Sequence, residues 1–340
     1  MEVSEKLTSF FMRNFIFFNG ENMKIIKFGG TSLQTPTLVN NAIEIVKKMN
    51  DKVVIVLSAI GRKGFPYATD TLVNSLKEKY ISNKELDRLL TIGETYSSVF
   101  FSNELNKNQV NAYSLSYLEL GIKCDDNYTL GKVVYIDTGI INQFLEKYEA
   151  LVIPGFLGCS AENEIISLGR GTSDYSALLL ADSLKQNEVI LFKDIDGIYP
   201  TIQYPLVKLK CYQNLSYDEA LALCDINFPV VNKKALIEAK EKGIKIIVKN
   251  FILNSNETII SSTPSSKKVL GFILFNNQYS LATFNPQEVM DILDEKFKKS
   301  HIFIKNYVTN KQCLSFLISS SQALLIRTII LKTFFSDMIK

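Results

Sequence analysis

Lysines and arginines set beside glycines and hydroxyls, at the ends of short apolar runs, are the residues here best suited to chemistry, and that chemistry is the handling of phosphate. Residues 24–33 read KIIKFGGTSL. A β-branched run delivers Lys27 to a sheet edge, Gly29 and Gly30 let backbone N–H groups approach an anion, and Thr31 and Ser32 add donors. Gly-Gly-Thr-Ser is also ordinary turn chemistry, so the decapeptide alone leaves a phosphate loop and a plain strand-to-helix turn both open. A second constellation, LGRGTSDYSA over residues 168–177, is a glycine-punctuated loop entering a helix. Arg170 lies before that helix, suited to a substrate carboxylate, and Ser173 and Asp174 lie at its start, with Asp174 suited to orienting Lys27. The same Ser and Asp would equally serve as a helix cap. A third, KDIDGIY over residues 193–199, puts Asp194 where nucleotide or metal would be met and Tyr199 where a base would be covered. Asp196-Gly197 reads as a turn. Phosphoryl transfer needs cations, backbone donors and a held acceptor more than covalent help, and these three segments supply the first two.

The elements that must hold these loops are legible as alternating strands and helices. Thr35-Pro36 supplies a cap and first helical residue, and Leu38, Ala42, Ile43 and Val46 recur at helical spacing. KVVIVL at residues 52–57 reads as a buried strand feeding a long loop, residues 58–70. Ser82 with Glu85 forms a capping-box pattern, and Leu86, Leu89, Leu90, Gly93, Ser97 and Phe101 line one helix face with Glu94 inside that helix. Strands at 112–115, 150–153, 189–192 and 245–248 alternate with helices at 139–148, 173–184 and 230–242, which predicts an α/β three-layer sandwich with a mainly parallel central sheet. Ligands in such a sheet sit beyond the carboxyl ends of the strands. Residues 254–268, rich in Ser, Thr, Asn and Lys, read as a linker or edge connection. Beyond them a strand over 269–284 with a turn at Asn276-Asn277, a helix at 286–299, strands at 301–305 and 313–318 and a helix at 320–335 predict a small α+β module. The expected division is an extension over 1–22, a first domain over 23–253, a linker over 254–268 and a second domain over 269–340.

Composition narrows the function classes. The 340 residues suffice for two or three domains, and 38 Lys and Arg against 35 Asp and Glu, dispersed along the chain, give nothing that calls for nucleic acid. The five cysteines are scattered without CxxC or Cys/His pairing, which predicts reduced thiols, a cytoplasmic location and no zinc site. His301, the one histidine, lies far along the chain from every candidate site and is expected to be structural or exposed. No apolar run approaches the ~18 residues of a membrane span. Residues 10–18, FFMRNFIFF, are short, broken by Arg13 and Asn14, and make a poor signal peptide. Gly20-Glu21-Asn22 before Met23 is codable by a purine-rich ribosome-binding sequence, so Met23 is one reading of the native start and a genuine extension over 1–22 the other.

The motifs match a family. KFGGTS at 27–32, GRKGFPYATDTL at 61–72, GE at 93–94, GF at 155–156, GRGTSDYSA at 169–177 and DIDGIY at 194–199 follow the order and spacing of aspartate kinases, and the chain resembles that family over about residues 23–253, within the amino-acid kinase fold. The resemblance implies transfer of phosphate from ATP, bound with Mg2+, to L-aspartate, at the start of lysine, threonine and methionine or dipicolinate synthesis. It implies that Lys27 neutralises the transferred group with Gly29, Gly30, Thr31 and Ser58 along its path. Ser58, Thr69, Glu94, Phe156, Arg170 and Ser173 would hold aspartate, with Arg170 on its α-carboxylate. Asp174 would organise Lys27, and Asp194 and Tyr199 would line the ATP pocket. The tail resembles one shortened ACT module of the regulatory region, implying an amino-acid effector and a homo-oligomer or a related kinase subunit as partner.

Three departures stand against the pattern. Tyr204 occupies the place of an arginine expected near the nucleotide phosphates, and Pro229 that of a nucleotide-binding lysine, for which Lys233 or Lys234 are the neighbouring substitutes. Thr172 replaces a glycine, awkward if that backbone needs positive φ. Two lost charged contacts, at about 1.5 to 3 kcal/mol each, would weaken ATP binding severely. The alternative reading is therefore a degenerate homologue that binds an amino acid as a regulatory or partner subunit.

Overall fold

The computed structural model describes residues 23–76, 80–202, 208–228, 231–251, 256–304 and 307–339; residues 1–22, Tyr204 and Pro229 lie outside the described residues. Strand β1 (Met23–Phe28) runs into a 3-10 turn, Gly30–Leu33, and α1 (Pro36–Lys47) opens with the Thr35 hydroxyl accepting from the Leu38 N–H at 3.3 Å. There follow β2 (Lys52–Leu57), α2 (Thr69–Ser75), α3 (Asn83–Leu90), α4 (Ile92–Lys107), β3 (Ala112–Ser114), β4 (Ile122–Cys124), β5 (Val133–Ile136), α5 (Gly139–Lys147) and β6 (Ala150–Pro154). Next come β7 (Leu157–Cys159), β8 (Ile165–Ser167), α6 (Ser173–Ser183), β9 (Glu188–Lys193), β10 (Asn214–Ser216), α7 (Tyr217–Asp225), α8 (Lys233–Lys242), β11 (Lys245–Asn250) and β12 (Glu257–Ser261). The last part is β13 (Gly271–Phe275), β14 (Gln278–Ala282), α9 (Pro286–Lys299), β15 (Tyr307–Asn310), β16 (Cys313–Leu317) and α10 (Ala323–Phe334).

Eight strands form the central sheet in the order β10-β12-β11-β9-β1-β2-β6-β3, and only the β11–β12 pairing is antiparallel. Strand periodicity decides which face each residue serves. Ile26, Phe28, Val53, Ile55 and Leu57 pack toward α1 and α4 in a core with Val39, Ile43 and Phe101. Ile25, Val54, Val56, Val189 and Leu191 pack into the other core, with Leu178 and Leu180 of α6. By the same alternation Lys27 shares its face with Ile25, and Lys193 shares its face with Val189 and Leu191. Both lysines therefore stand on the α6 side at the carboxyl edge.

The single helix face expected through Glu94 is two helices. The chain breaks at Thr91, whose hydroxyl turns back to the Arg88 carbonyl at 3.0 Å, and α4 restarts with Gly93 and Glu94 in its first turn. A Cβ on Gly93 would stand 2.2 Å from the Tyr67 carbonyl oxygen, so glycine is what lets loop 58–70 lie over this helix start. A second small sheet, β5-β4-β7-β8, flanks the site loops, and the buried Asp87 of α3 ties to it. Asp87 accepts from the Ser167 hydroxyl at 2.5 Å, the Ser167 N–H at 3.1 Å and the Thr129 N–H at 2.8 Å.

The C-terminal module is a four-stranded antiparallel sheet, β13-β14-β16-β15, with α9 and α10. The run over 269–284 is a hairpin, turned by Asn276 and Asn277 at φ 47° and 60°, the left-handed pair that a two-residue turn requires. Two expectations are corrected. Residues 254–268, read as linker or edge connection, contain β12, whose Thr258 and Ile260 are buried between strands of the central sheet. Its alternation was hidden by Ser and Thr, which fit a half-buried strand as readily as a loop. The strand expected at 301–305 does not form over 301–304, where His301 takes a left-handed φ of 54°; among the described residues the strand is Tyr307–Asn310. The module is tied to the sandwich by the Phe272 N–H on the Pro200 carbonyl (2.8 Å), the Tyr212 hydroxyl on the Leu270 carbonyl (2.7 Å) and the Lys210 N–H on the Met338 carbonyl (2.7 Å).

Candidate active site

The carboxyl ends of β1, β2, β6 and β9 deliver Lys27, Ser58, Phe156 and Lys193 to one region, and the N-terminus of α6 meets them with Ser173 and Asp174. At its centre Asp174 is held between two ammonium groups. Lys27 Nζ lies 2.9 Å from Oδ1 and Lys193 Nζ 2.7 Å from Oδ2, with the Asn232 N–H donating to Oδ2 at 3.3 Å. The Lys27 and Asp174 side chains are 7% and 5% exposed, and that of Lys193 18%. Burial pushes the Lys27 ammonium below its ordinary pKa, opposed by Asp174 and reinforced by Lys193. Burial would raise the Asp174 carboxyl, but Lys193 and Lys27 outweigh it and hold that carboxyl well below the usual range. Two lysines thus share one carboxylate, with the Glu94 carboxyl also acting on Lys27. Lys193 was missed as a site residue in the sequence; its shared parity with Val189 and Leu191 at the end of a buried run was the signal that would have found it.

Beside this cluster opens a cavity of about 660 Å³ lined by Ser58, Thr69, Glu94, Phe156, Arg170 and Ser173, with Gly30 at its edge. Ser58 and Ser173 hydroxyls meet at 3.0 Å. Glu94 Oε1 accepts from the Ala59 N–H at 3.0 Å and the Thr69 hydroxyl at 3.5 Å, while Oε2 is buried without a partner. Burial raises the Glu94 carboxyl to about 7, against the pull of the Ala59 N–H. Arg170, half exposed, pairs with Asp70 across the mouth. Phe156 is buried with φ 51°, its N–H on the Ser176 hydroxyl at 2.9 Å. A non-glycine residue in the left-handed region costs conformational energy and is concentrated at binding sites.

The Thr172 concern resolves in the loop's favour. Positive φ falls on Gly169 (100°) and Gly171 (76°), while Thr172 sits at φ −93° with its hydroxyl on the Gly169 carbonyl at 2.6 Å. Not every expected residue joins the cavity. The Gly29 N–H is directed at the Phe192 carbonyl, 3.4 Å away, and extends the sheet, and Thr31 lies half-buried in the 3-10 turn. Beside Gly29 the Ser32 hydroxyl is buried without a partner. Asp194 lies outside the cavity lining but pairs at 2.7 Å with Arg62, which lines it; Tyr199, whose hydroxyl donates to Asp196 at 2.6 Å, is also outside. Lys233 is turned to Asp225 at 2.6 Å and Lys234 to the Leu168 carbonyl at 3.4 Å, so neither joins the Asp174 cluster. His301 is exposed and away from the site. A larger cleft, about 780 Å³, lies between β10, β12 and the C-terminal turn, where Lys267 pairs with Asp337 and Glu257 with Lys249.

Residues 22–250 match the family model described as the amino acid kinase family. The chain belongs to the amino acid kinase family. Among its amino acid kinase relatives, Aspartokinase 1 of Bacillus subtilis is 33% identical over 252 residues, covering 72% of this chain and 62% of that protein. The aspartokinase of Geobacillus stearothermophilus is 31% identical over 265 residues, covering 76% of this chain and 64% of that one. The chain thus spans about three fifths of the length of the curated relatives it matches. Among solved structures, E. coli aspartokinase III in complex with aspartate and ADP superposes with a TM-score of 0.62 at 20% identity, over 94% of this chain and 84% of that one. The aspartate kinase of Synechocystis gives 0.62 at 22% identity, over 90% and 54%. These superpositions establish the amino acid kinase fold.

Proposed function

We propose that this chain is an aspartate kinase, transferring the terminal phosphoryl group of ATP to the side-chain carboxylate of L-aspartate. The observation that carries the reading is the adjacency of two unlike zones. The buried cluster of Lys27, Asp174 and Lys193 suits phosphate, and the neighbouring cavity offers a carboxyl group, Glu94, and a guanidinium, Arg170, to one small amino acid. Glu94 Oε2, buried and unpartnered, is suited to the substrate ammonium, and Arg170, released from Asp70, to its α-carboxylate. Thr69, Ser58, Phe156 and Ser173 line the space between. Relatives named aspartokinase, and a related fold crystallised with aspartate and ADP, support the assignment.

In this mechanism the acceptor carboxylate is ionised at neutral pH and attacks phosphorus as ADP departs, so no proton has to be moved. The site accordingly offers cations where an acyl-transfer enzyme would offer a base. Lys27 neutralises the transferred group and Asp174 fixes its position. Among the described residues no group of three or more His, Cys, Asp or Glu could hold a metal ion. Mg2+ bound with the nucleotide would offset phosphate charge; Asp194 and Tyr199, at the end of β9 and beyond it, would border the nucleotide. Among the described residues no helix is long and apolar enough to cross a membrane. A cytoplasmic place at the head of lysine-type amino-acid synthesis, an amino-acid effector at the C-terminal module and a homo-oligomer complete the proposal; a related fold crystallised with lysine and aspartate supports the effector.

Coupled ADP release with L-aspartate and Mg-ATP tests it. Turnover that depends on aspartate and is lost in Arg170→Ala is the expected result. Turnover no higher than that of Arg170→Ala would overturn the enzyme reading and leave a degenerate, amino-acid-binding subunit.

A further inference from the structure

Asp174 needs one lysine to be neutralised and has two. Lys193 extends from the last position of β9, one residue beyond the Phe28–Phe192 pairing with β1, so it stands beside Gly29 at the carboxyl edge. Its ammonium lies 2.7 Å from Asp174 Oδ2, opposite Lys27 at 2.9 Å from Oδ1. Two ammonium groups thus share one carboxylate at the end of the strands, where an anionic ligand would be a further partner for the more open of them. The two cations also differ in access: Lys27 is 7% exposed and Lys193 18%, which leaves Lys193 the more open to a ligand arriving from the nucleotide side.

We propose that Lys193 is a phosphate-binding residue of this centre, contacting the terminal phosphates of the nucleotide from the end of β9 while Asp174 holds it in place. The inference rests on the kinase reading above. The nearer candidates for that duty are otherwise engaged, Lys233 with Asp225 and Lys234 with the Leu168 carbonyl. Arg62, paired with Asp194, is 72% exposed and binds a different carboxylate. In the phosphoryl transfer Lys193 forms no covalent bond; it opposes charge on the nucleotide oxygens as the bond from the bridging oxygen to the terminal phosphorus breaks and ADP leaves.

Titration calorimetry on the full chain separates this role from a purely structural one, using Mg-ATP, adenosine and L-aspartate in parallel. Lys193→Gln keeps a donor for Asp174 and removes the charge; Lys193→Arg keeps the charge and serves as second variant if the first does not fold. For Lys193→Gln the expected result is Mg-ATP binding weakened about 10- to 100-fold, the worth of one charged contact. Adenosine and L-aspartate should bind within about twofold of the unmutated chain, and Lys193→Arg should bind Mg-ATP within about fivefold of it. Unchanged Mg-ATP affinity in Lys193→Gln, or an equal loss for Mg-ATP, adenosine and aspartate, would overturn the inference, as would a loss in Lys193→Arg as large as in Lys193→Gln. Failure of the unmutated chain to bind Mg-ATP would instead refute the kinase reading and this inference with it, so the two failures are told apart by the first titration.

Discussion

Replacing Glu94 by glutamine should improve stability and damage function together. The carboxyl is buried, one oxygen accepts from Ala59 and Thr69, and the other has no partner. Burial raises it from an ordinary 4.5 to about 7, so the folded chain binds a proton there that the unfolded chain has released. Stability contributed at this position therefore falls as pH rises from about 4.5 to about 7, and stays low above that. At about 1.4 kcal/mol per tenfold, the cost of keeping Glu94 ionised at pH 8 is at most about 3.5 kcal/mol. Glu94→Gln removes that cost, so its denaturant midpoint should lie above that of the unmutated chain at pH 8 and converge with it near pH 4. Aspartate binding should behave oppositely. If the ionised form alone accepts the substrate ammonium, affinity in the unmutated chain is about tenfold weaker at pH 6 than at pH 8. Glu94→Gln should bind about 10- to 100-fold more weakly at pH 8 and show no such pH dependence. Calorimetry at both pH values reads all of this, and titration of the ligand itself is common to both proteins. An unmutated chain whose aspartate affinity is flat from pH 6 to 8, or a Glu94→Gln variant that keeps the slope, would refute the reasoning.

Asp174→Asn removes the anion between Lys27 and Lys193 and should cost about 3 to 5 kcal/mol of stability, the usual result of breaking a buried pair, measured by urea unfolding, together with loss of any phosphoryl transfer. Asp87→Ala strips an acceptor from three groups around Ser167 and Thr129, two of them backbone N–H, and should destabilise by about 3 kcal/mol or more. Asp87→Asn, which keeps one acceptor oxygen, should cost less in the same unfolding assay.

Much of the fold was readable because the buried strands are nearly continuous apolar runs: KVVIVL became β2, and the runs at 150–153, 189–192 and 245–248 became β6, β9 and β11. Parallel strands covered on both faces must read this way, which also located their carboxyl-end loops. The small sheet of β4, β5, β7 and β8 was not readable, since strands of three or four residues carry too little periodicity. β12 was lost among serines, and the break between α3 and α4 depends on Thr91 bonding its own turn and on Gly93 yielding space to Tyr67. Within the site, Lys27, Asp174, Glu94 and Arg170 were named by motif, and the structure brings them to adjoining zones. Lys193 belongs to no motif of its own, whereas its neighbour Asp194, which does, faces Arg62 in the structure. Asp87 carries no signal in the sequence, because its partners, the Ser167 and Thr129 N–H groups, come to it only through the fold.

The central claim is that a phosphate zone and an amino-acid zone act on one carboxylate, and its most direct measurement is the product of that meeting. An acyl phosphate reacts with hydroxylamine to give a hydroxamate, so the unmutated chain incubated with Mg-ATP, L-aspartate and hydroxylamine should form aspartyl hydroxamate in step with ADP, and Asp174→Asn should form none. ADP release without hydroxamate, or hydroxamate formed equally by Asp174→Asn, would contradict the account.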